Sequence, residues 1–493
     1  MSKKYIGLLT GLVLFFGILF LPNPAGMSTE AKNALAVVTL MTVWWIAEAI
    51  PVYATAFLPL VLYPMLKVLP AAETAENYGH NYVLMMLAGF LLAKAIESSS
   101  LHKRIALVLM AALGSSRQRL LLSLMIATAF ISMWIANVTA ALLMLPIALA
   151  IISKDEAETG KTSSFSTAMM VGTAYSASVG GVATLIGSPT NLIFIGIMEK
   201  LFPDAPPISF LTWLKIGLPV LIIFLPIVWL YLVKYFKIDG SIAGSQEIIR
   251  EELKSLGKMS AAEKRVMWVF AVTTLGWVFR DDLALGNFIF PGWSSMLGLD
   301  AYVHDTTVAM TAAIFLFALP DGKGKRLLDW KSASQIPWGV VMIVGGGYAV
   351  AAGFQSTGLA SWIGNQLAFI SAFPFWVVLV IVVGFILLFT ELNSNTATVN
   401  IFLPVLASIA IAGNTNPLLL MIPATFASTF AFMMPASTGP NTVIFASEKI
   451  SISDMVKCGL GLKLISLVVL TLILYFVIIP ILHLETGLPV WAR

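Results

Sequence analysis

The chain has 493 residues, of which 59% are hydrophobic and 11% charged, with a formal net charge of +4. That balance leaves too little polar surface to cover a soluble globule of this length, so it excludes one and predicts a polytopic membrane protein, with the lipid bilayer and not nucleic acid as its setting. One cysteine, Cys458, excludes an intramolecular disulfide and a cysteine metal cluster, and the four histidines (His80, His102, His304, His483) show no ligand spacing.

Lys3 and Lys4 ahead of an apolar run at 5–21 resemble a secretory signal, but 17 residues is long for a signal core and the Pro-Asn-Pro-Ala-Gly that follows is not a typical cleavage site. The run therefore reads as a first span, at 4–21. Further apolar runs, near the length that crosses ~30 Å of hydrocarbon, fall at 31–50, 52–69 and 81–99. From His102-Lys103-Arg104 to Arg119 the chain is basic and amphipathic and is expected to lie along the membrane surface. Residues 120–152 are too long for one span and too short for two with a loop. A re-entrant hairpin of two half-helices fits, provided protein surrounds its tip, because lipid cannot satisfy broken backbone. The run at 165–200 contains Gly180-Gly181 and Gly187-Ser188-Pro189-Thr190-Asn191, which predicts an unwound segment inside a helix. A span at 209–235 and the longest polar loop, 238–265, close the first unit.

The second unit repeats the plan. Spans at 266–280, 303–320 and 338–357 precede a surface stretch at 358–370 and a second hairpin at 373–413. A broken span at 416–447 carries Pro435-Ala-Ser-Thr-Gly-Pro440-Asn441, and the last span runs over about 455–482. The expected fold is an all-α polytopic membrane protein with about eleven transmembrane helices and two re-entrant hairpins. With the N-terminus in the cytoplasm, 22 of the 29 Lys and Arg residues fall on the cytoplasmic side, a positive-inside bias. The odd number of spans per unit makes the two repeats inverted.

The hairpin tips are copies of one another. Ala136-Asn137-Val138-Thr139-Ala140 and Ser394-Asn395-Thr396-Ala397-Thr398 superpose at an offset of 258 residues, which also pairs Pro146 with Pro404. The same offset lays Gly89-Phe90 on Gly347-Tyr348, Glu97-Ser98 on Gln355-Ser356 and Leu101 on Leu359 without a gap. Internal duplication in so apolar a chain marks a secondary transporter whose site lies where the helices break. The half-helices that begin at a break present free N–H groups, which favour an anion. Those that end there present free carbonyls, which suit sodium. Pro189 and Pro440 suit the first turn of a beginning half-helix. Two of each, about a pseudo-two-fold axis, fit an anion with two charged ends. A purely structural reading stands beside this one: Asn137, Thr139, Asn395 and Thr396 are types that cap helices.

These motifs, in this order, resemble those of the divalent anion/sodium symporter family, which includes sodium-coupled dicarboxylate and citrate transporters; the resemblance covers nearly the whole chain. It implies a homodimer in the inner (plasma) membrane that works as an elevator, with sodium ions co-transported with a small divalent anion. By that resemblance the scaffold comprises 1–116 and, with the loop, 238–370, and the transport domain 117–237 and 371–493. One sodium site is implied at Ser132, Asn137 and the backbone of Gly187, the other at Thr390, Asn395 and the backbone of Ala436 and Ser437. The carboxylates are implied to meet Asn137, Thr139, Ser188, Pro189, Ser394, Asn395, Thr396, Thr438, Gly439 and Pro440. The first tip departs from the family pattern, with Ala136 and Val138 where Ser and Thr are usual, so one half-site lacks two hydroxyls.

Glu391, three residues before the second tip, reads either as a proton carrier or, preferably, as a structural carboxylate bonded to hairpin backbone. Lys94 and Glu97 read as a snorkelling pair. No HExxH, GxSxG or Walker A stretch occurs, which argues against an enzyme and against direct ATP coupling. The expected substrate is a C4-dicarboxylate such as succinate, malate or fumarate, carried by sodium symport. A sodium-independent exchanger, a citrate or sulfate symporter, and an anion channel are the alternatives.

Overall fold

The computed structural model describes residues 3–112, 116–159, 163–242, 245–285 and 288–492. It opens on two helices, α1 (Lys3–Phe20) and α2 (Thr29–Ala47). Ser28 caps α2, accepting the Ala31 N–H at 3.0 Å, while Lys32 reaches back to the Leu19 and Leu21 carbonyls at 3.1 and 2.8 Å. One free donor of α2 and two carbonyls at the end of α1 are thus satisfied by side chains from one turn of chain.

The stretch expected as a single span at 52–69 is two short helices, α3 (Val52–Thr55) and α4 (Leu58–Met65). Pro51, Pro59 and Pro64 lie within or beside them, and each removes a backbone donor that a continuous helix needs. After α5 (Ala71–Glu76) come α6 (Asn81–Ser98) and α7 (Leu101–Ala111). Ser100, at φ 63°, turns the chain between the last two.

The amphipathic stretch ends earlier than its charges imply, because Arg117 and Arg119 begin the next helix; 113–115 lie outside the described residues. The first predicted hairpin is α8 (Arg117–Ser132) followed by α9 (Asn137–Thr159), and Arg117 ties their outer ends together through Asp155 at 2.7 Å. The first broken span is α10 (Ser164–Gly181) and α11 (Pro189–Leu201), and α12 (Phe210–Tyr235) follows.

The polar segment 238–265 is not a plain loop. It contains α13 (Ser245–Ser255), whose Glu252 meets Lys103 of α7 at 3.0 Å. At its end α14 (Ala261–Val278) starts from a capping box of Ser260 and Glu263. Glu263 also holds Arg104 of α7 at 2.6 Å. Burial acts to raise the Glu263 carboxyl, but the bonds from Arg104 and Ser260 outweigh it and leave the group below its ordinary range.

A ribbon of two three-residue strands, β1 (Leu283–Leu285) and β2 (Phe288–Phe290), interrupts the helices after α14. Then come α15 (Trp293–Met296), α16 (Asp305–Ala318), α17 (Trp330–Ala333), α18 (Trp338–Thr357) and α19 (Leu359–Gln366). Gly358, at φ 74°, makes the same left-handed turn before α19 that Ser100 makes before α7, and the two stand at the 258 offset. The second predicted hairpin is α20 (Phe375–Phe389) followed by α21 (Asn395–Ala412). The second broken span is α22 (Leu418–Thr429) and α23 (Gly439–Phe445). The chain closes with α24 (Ile452–Ile473), a π-helical turn at Leu474–Ile478 and α25 (Ile479–Leu482).

Among the described residues, six helices are long and apolar enough to cross a membrane, and five shorter apolar ones join them. The large apolar core runs through α6, α8, α10, α11, α12, α18, α21 and α22, and a smaller one fastens α1, α2 and α4 to α18, α19 and α21.

Asp305 locks three elements at one point. Its carboxylate meets Arg280 at 2.7 Å and accepts the Phe210 N–H at 2.7 Å, and its carbonyl accepts the Trp277 indole N–H at 2.9 Å. Its side chain is 1% exposed. Asp305→Ala is expected to destabilise the protein by about 3 kcal/mol, the low end for breaking a buried pair, because Asp281 still accompanies Arg280. The midpoint of denaturant unfolding of detergent-purified protein measures it.

Candidate functional site

Both tips fold around the same three oxygens. In the first, Ser132 Oγ lies 2.8 Å from Asn137 Oδ1 and 2.6 Å from the Ala177 carbonyl of α10. In the second, Thr390 Oγ1 lies 3.0 Å from Asn395 Oδ1 and 2.6 Å from the Ser428 carbonyl of α22. A hydroxyl has one proton to donate, so each cluster holds more lone pairs than donors. An oxygen-rich, donor-poor cluster at a helix end suits a cation.

Neither asparagine is a cap. The N-cap of α21 is Ser394, whose Oγ accepts the Ala397 N–H at 3.3 Å, and Asn395 is the first helical residue. In the first hairpin the capping position is held by Ala136, which has no oxygen to offer. Thr396 lies 3.4 Å from the Ser394 hydroxyl.

The breaks are also copies, at a second offset. Asn191 Nδ2 donates to the Gly181 and Thr184 carbonyls at 2.9 and 2.7 Å. Asn441 Nδ2 donates to the Ala431 and Met434 carbonyls at 3.1 Å each. These pairs stand 250 residues apart, as do Val182 and Phe432, whose carbonyls accept from the Trp213 indole at 2.9 Å and the Tyr175 hydroxyl at 2.8 Å. Unwound backbone at membrane depth must find partners inside the protein, and these side chains supply them.

The two repeats interlock at the site. A Cβ on Gly181 would fall 2.2 Å from Asn137 Oδ1, so only glycine lets the tip reach its own break. A Cβ on Gly439 would fall 2.1 Å from Val138 Cγ2, so α23 of one repeat rests on the tip of the other. Thr190 of α11 meets Thr429 of α22 at 3.1 Å, and Ser188 Oγ meets Thr190 at 2.8 Å. Across the repeats α9 packs on α23, and α11 packs on α21 and α22. Pro189 is the first residue of α11 and Pro440 the second of α23.

Of the residues expected at the cation sites, Ser132 with Asn137 and Thr390 with Asn395 are brought together. Gly187 faces a cradle of carbonyls from Gly181, Met133 and Ser132, 2.7 to 3.0 Å from a Cβ built there. The Ser437 hydroxyl donates to the Met434 carbonyl at 2.7 Å, and Ala436 is exposed. The residues that sequence reasoning passed over are Ala177 and Ser428, which act through their carbonyls, and the clamps Asn191, Asn441, Trp213 and Tyr175. Only the two asparagines left a signal, as the last residue of each break motif. Val138 is 39% exposed, whereas Asn137 beside it is 9% exposed, which makes the valine the open face of the first tip.

Glu391 is held by the second break rather than by hairpin backbone. It accepts the N–H groups of Phe432, Met433 and Met434 at 2.7, 3.0 and 3.0 Å, and it pairs with Lys463 at 2.7 Å. Lys463, one of the 22 Lys and Arg residues assigned to the cytoplasmic side, is 3% exposed within α24. Lys94 and Glu97 form the expected pair, at 3.0 Å.

Helical, membrane-spanning and built from two interlocked copies of a tip and a break, the protein is a secondary transporter and not an enzyme. Its sequence matches the sodium:sulfate symporter transmembrane region over residues 2–482. It is 39% identical over 498 residues to the sodium-dependent dicarboxylate transporter SdcS of Staphylococcus saprophyticus, a match that covers 99% of this chain and 93% of the relative. With the SdcS of Staphylococcus aureus it shares 37% over 500 residues, covering 99% and 94%. The protein therefore belongs to the sodium:sulfate symporter family. Among solved structures it resembles Neisseria gonorrhoeae MtrF, with a TM-score of 0.58 at 13% identity over 97% of this chain and 96% of that one. The Alcanivorax borkumensis YdaH transporter gives 0.57 at 12% identity over 91% and 99%. At those identities the likeness is one of fold.

Proposed function

We propose that this protein is a sodium-coupled symporter of dicarboxylates, with a C4-dicarboxylate as its substrate. The observation that carries this reading is the paired cluster of hydroxyl, amide and carbonyl oxygens at Ser132, Asn137 and Ala177 and at Thr390, Asn395 and Ser428. Each would take one sodium, and the half-helices that begin beside them would take the two carboxylates. The names of the relatives, sodium-dependent dicarboxylate transporters, support the same substrate class.

In this reading the protein is a homodimer of the inner membrane with its N-terminus in the cytoplasm. The hairpins and broken helices (117–237 and 371–493) move across the bilayer against a scaffold of 1–116 and 238–370. The bonds from α7 to Glu252 and Glu263 keep the first surface helix with that scaffold.

Radiolabelled succinate uptake into proteoliposomes, with and without an inward sodium gradient, tests class, substrate and coupling together. Uptake is expected to be saturable and to follow the sodium gradient. Uptake that ignores sodium but is accelerated by internal dicarboxylate would make the protein an exchanger, and unsaturable current would make it a channel. For the elevator, a cysteine pair placed where Gly196 of α11 lies against Tyr348 of α18 is expected to stop transport on cross-linking. Full transport through the locked pair would overturn that mechanism.

A further inference from the structure

The second half-site carries a charge pair for which the first has no counterpart among the described residues. At the 258 offset Glu391 matches Met133, an apolar residue. The first break closes its own N–H groups by local turns, Ala183 to the Gly180 carbonyl at 3.1 Å and Gly187 to the Thr184 carbonyl at 3.3 Å. In the second break three successive N–H groups, of Phe432, Met433 and Met434, all end on the Glu391 carboxylate. That carboxylate is in turn held by Lys463, which also donates to the Leu387 carbonyl at the end of α20. The side chains are 5% and 3% exposed, so water compensates neither charge.

The segment so held is the one that frames the second cation cluster. The whole break, 430–438, begins two residues after Ser428, whose carbonyl meets Thr390, and it includes the Ala431 and Met434 carbonyls gripped by Asn441. Asn441 Oδ1, in a fully buried residue, has no hydrogen-bond partner among the described residues and is left as a bare acceptor. Thr390 and Glu391 are adjacent, so one turn of chain sends a hydroxyl into the cluster and a carboxylate into the backbone behind it.

We propose that Glu391 and Lys463 are positioning residues for cation binding at the second half-site. The carboxylate sets the register of the break, and the lysine ammonium serves as a tethered cation that holds the carboxylate in place. This rests on the reading of the protein as a sodium symporter. Among the described residues only the second half-site is braced by a buried charge pair, so its affinity for sodium is the quantity the pair controls.

The test compares E391D, E391Q, K463R, K463M and the double variant E391Q/K463M by sodium-dependent succinate uptake. Sodium-induced thermal stabilisation of the purified proteins gives a readout that needs no transport. E391D keeps the charge but not the reach, and it is expected to raise the sodium concentration for half-maximal uptake about tenfold. The KM for succinate at saturating sodium should stay within about threefold of wild type. K463R should behave as wild type. E391Q and K463M each leave one buried charge alone, and the neutral double variant should recover sodium affinity lost by either single variant. Unchanged sodium dependence in folded E391D, or sodium and succinate affinities that fall in parallel in every variant, would overturn the proposal and leave the pair a structural brace. If E391Q or K463M fails to fold, E391D and K463R decide. A wild-type protein without sodium dependence would instead overturn the symport reading itself.

Discussion

Asn395→Ala is expected to abolish sodium-driven uptake of succinate while leaving the protein folded, and Asn137→Ala to do the same from the other half-site. Each amide oxygen is one of three that converge at a tip, and in the proposed function each asparagine touches both the cation and the anion. A hydrogen bond to a charged group is worth about 1.5 to 3 kcal/mol. Losing two such contacts lowers transition between empty and loaded protein by roughly a hundredfold or more. The fold should survive, because Thr390 keeps the Ser428 carbonyl and Ser132 keeps the Ala177 carbonyl as partners. α21 also keeps its Ser394 cap. Initial uptake rates in proteoliposomes, alongside the size-exclusion profile, measure the effect. Wild-type uptake in either variant would return these residues to a purely structural role.

The second large effect comes from the unequal tips. Ser394→Ala with Thr396→Val removes the α21 cap and both hydroxyls beside Asn395, and most activity should be lost. The cap alone is worth about 1 kcal/mol of helix stability. The converse change, Ala136→Ser with Val138→Thr, gives α9 the cap it lacks and places a hydroxyl on the exposed face of the first tip. Threonine has the outline of valine, so the contact of residue 138 with Gly439 is kept. Apparent affinity for sodium or for the dicarboxylate should rise about tenfold, the value of one hydrogen bond to a charged group. Transport lost from a folded, restored tip would show instead that Val138 is itself a selectivity contact, with a substrate unlike a plain C4-dicarboxylate at one end.

Much of this arrangement is local in origin, and for that reason the sequence alone determined it. Gly180-Gly181, Gly187, Pro189 and Pro440 mark the breaks as clusters, because a missing donor or a missing Cβ weakens a helix locally, although single prolines such as Pro219 and Pro226 stay inside α12. The tips announced themselves by duplication, and Asn137 and Asn395 lie opposite Ser132 and Thr390 five residues earlier, within reach of a single turn.

The rest depends on which segments meet. Ala177 and Ser428 contribute carbonyls that every residue possesses, so nothing in their identity marks them. The asparagine clamps repeat at 250 residues rather than 258, because the hairpin and the break do not keep one spacing, and a single offset hides them. Lys463 falls among the cations counted on the cytoplasmic side, and only the packing of α24 sets it in the interior against Glu391, 72 residues away. Local chemistry thus decided where the backbone opens, and tertiary structure decided which side chains close it, since in a membrane every opened donor and acceptor must be met by protein rather than by water.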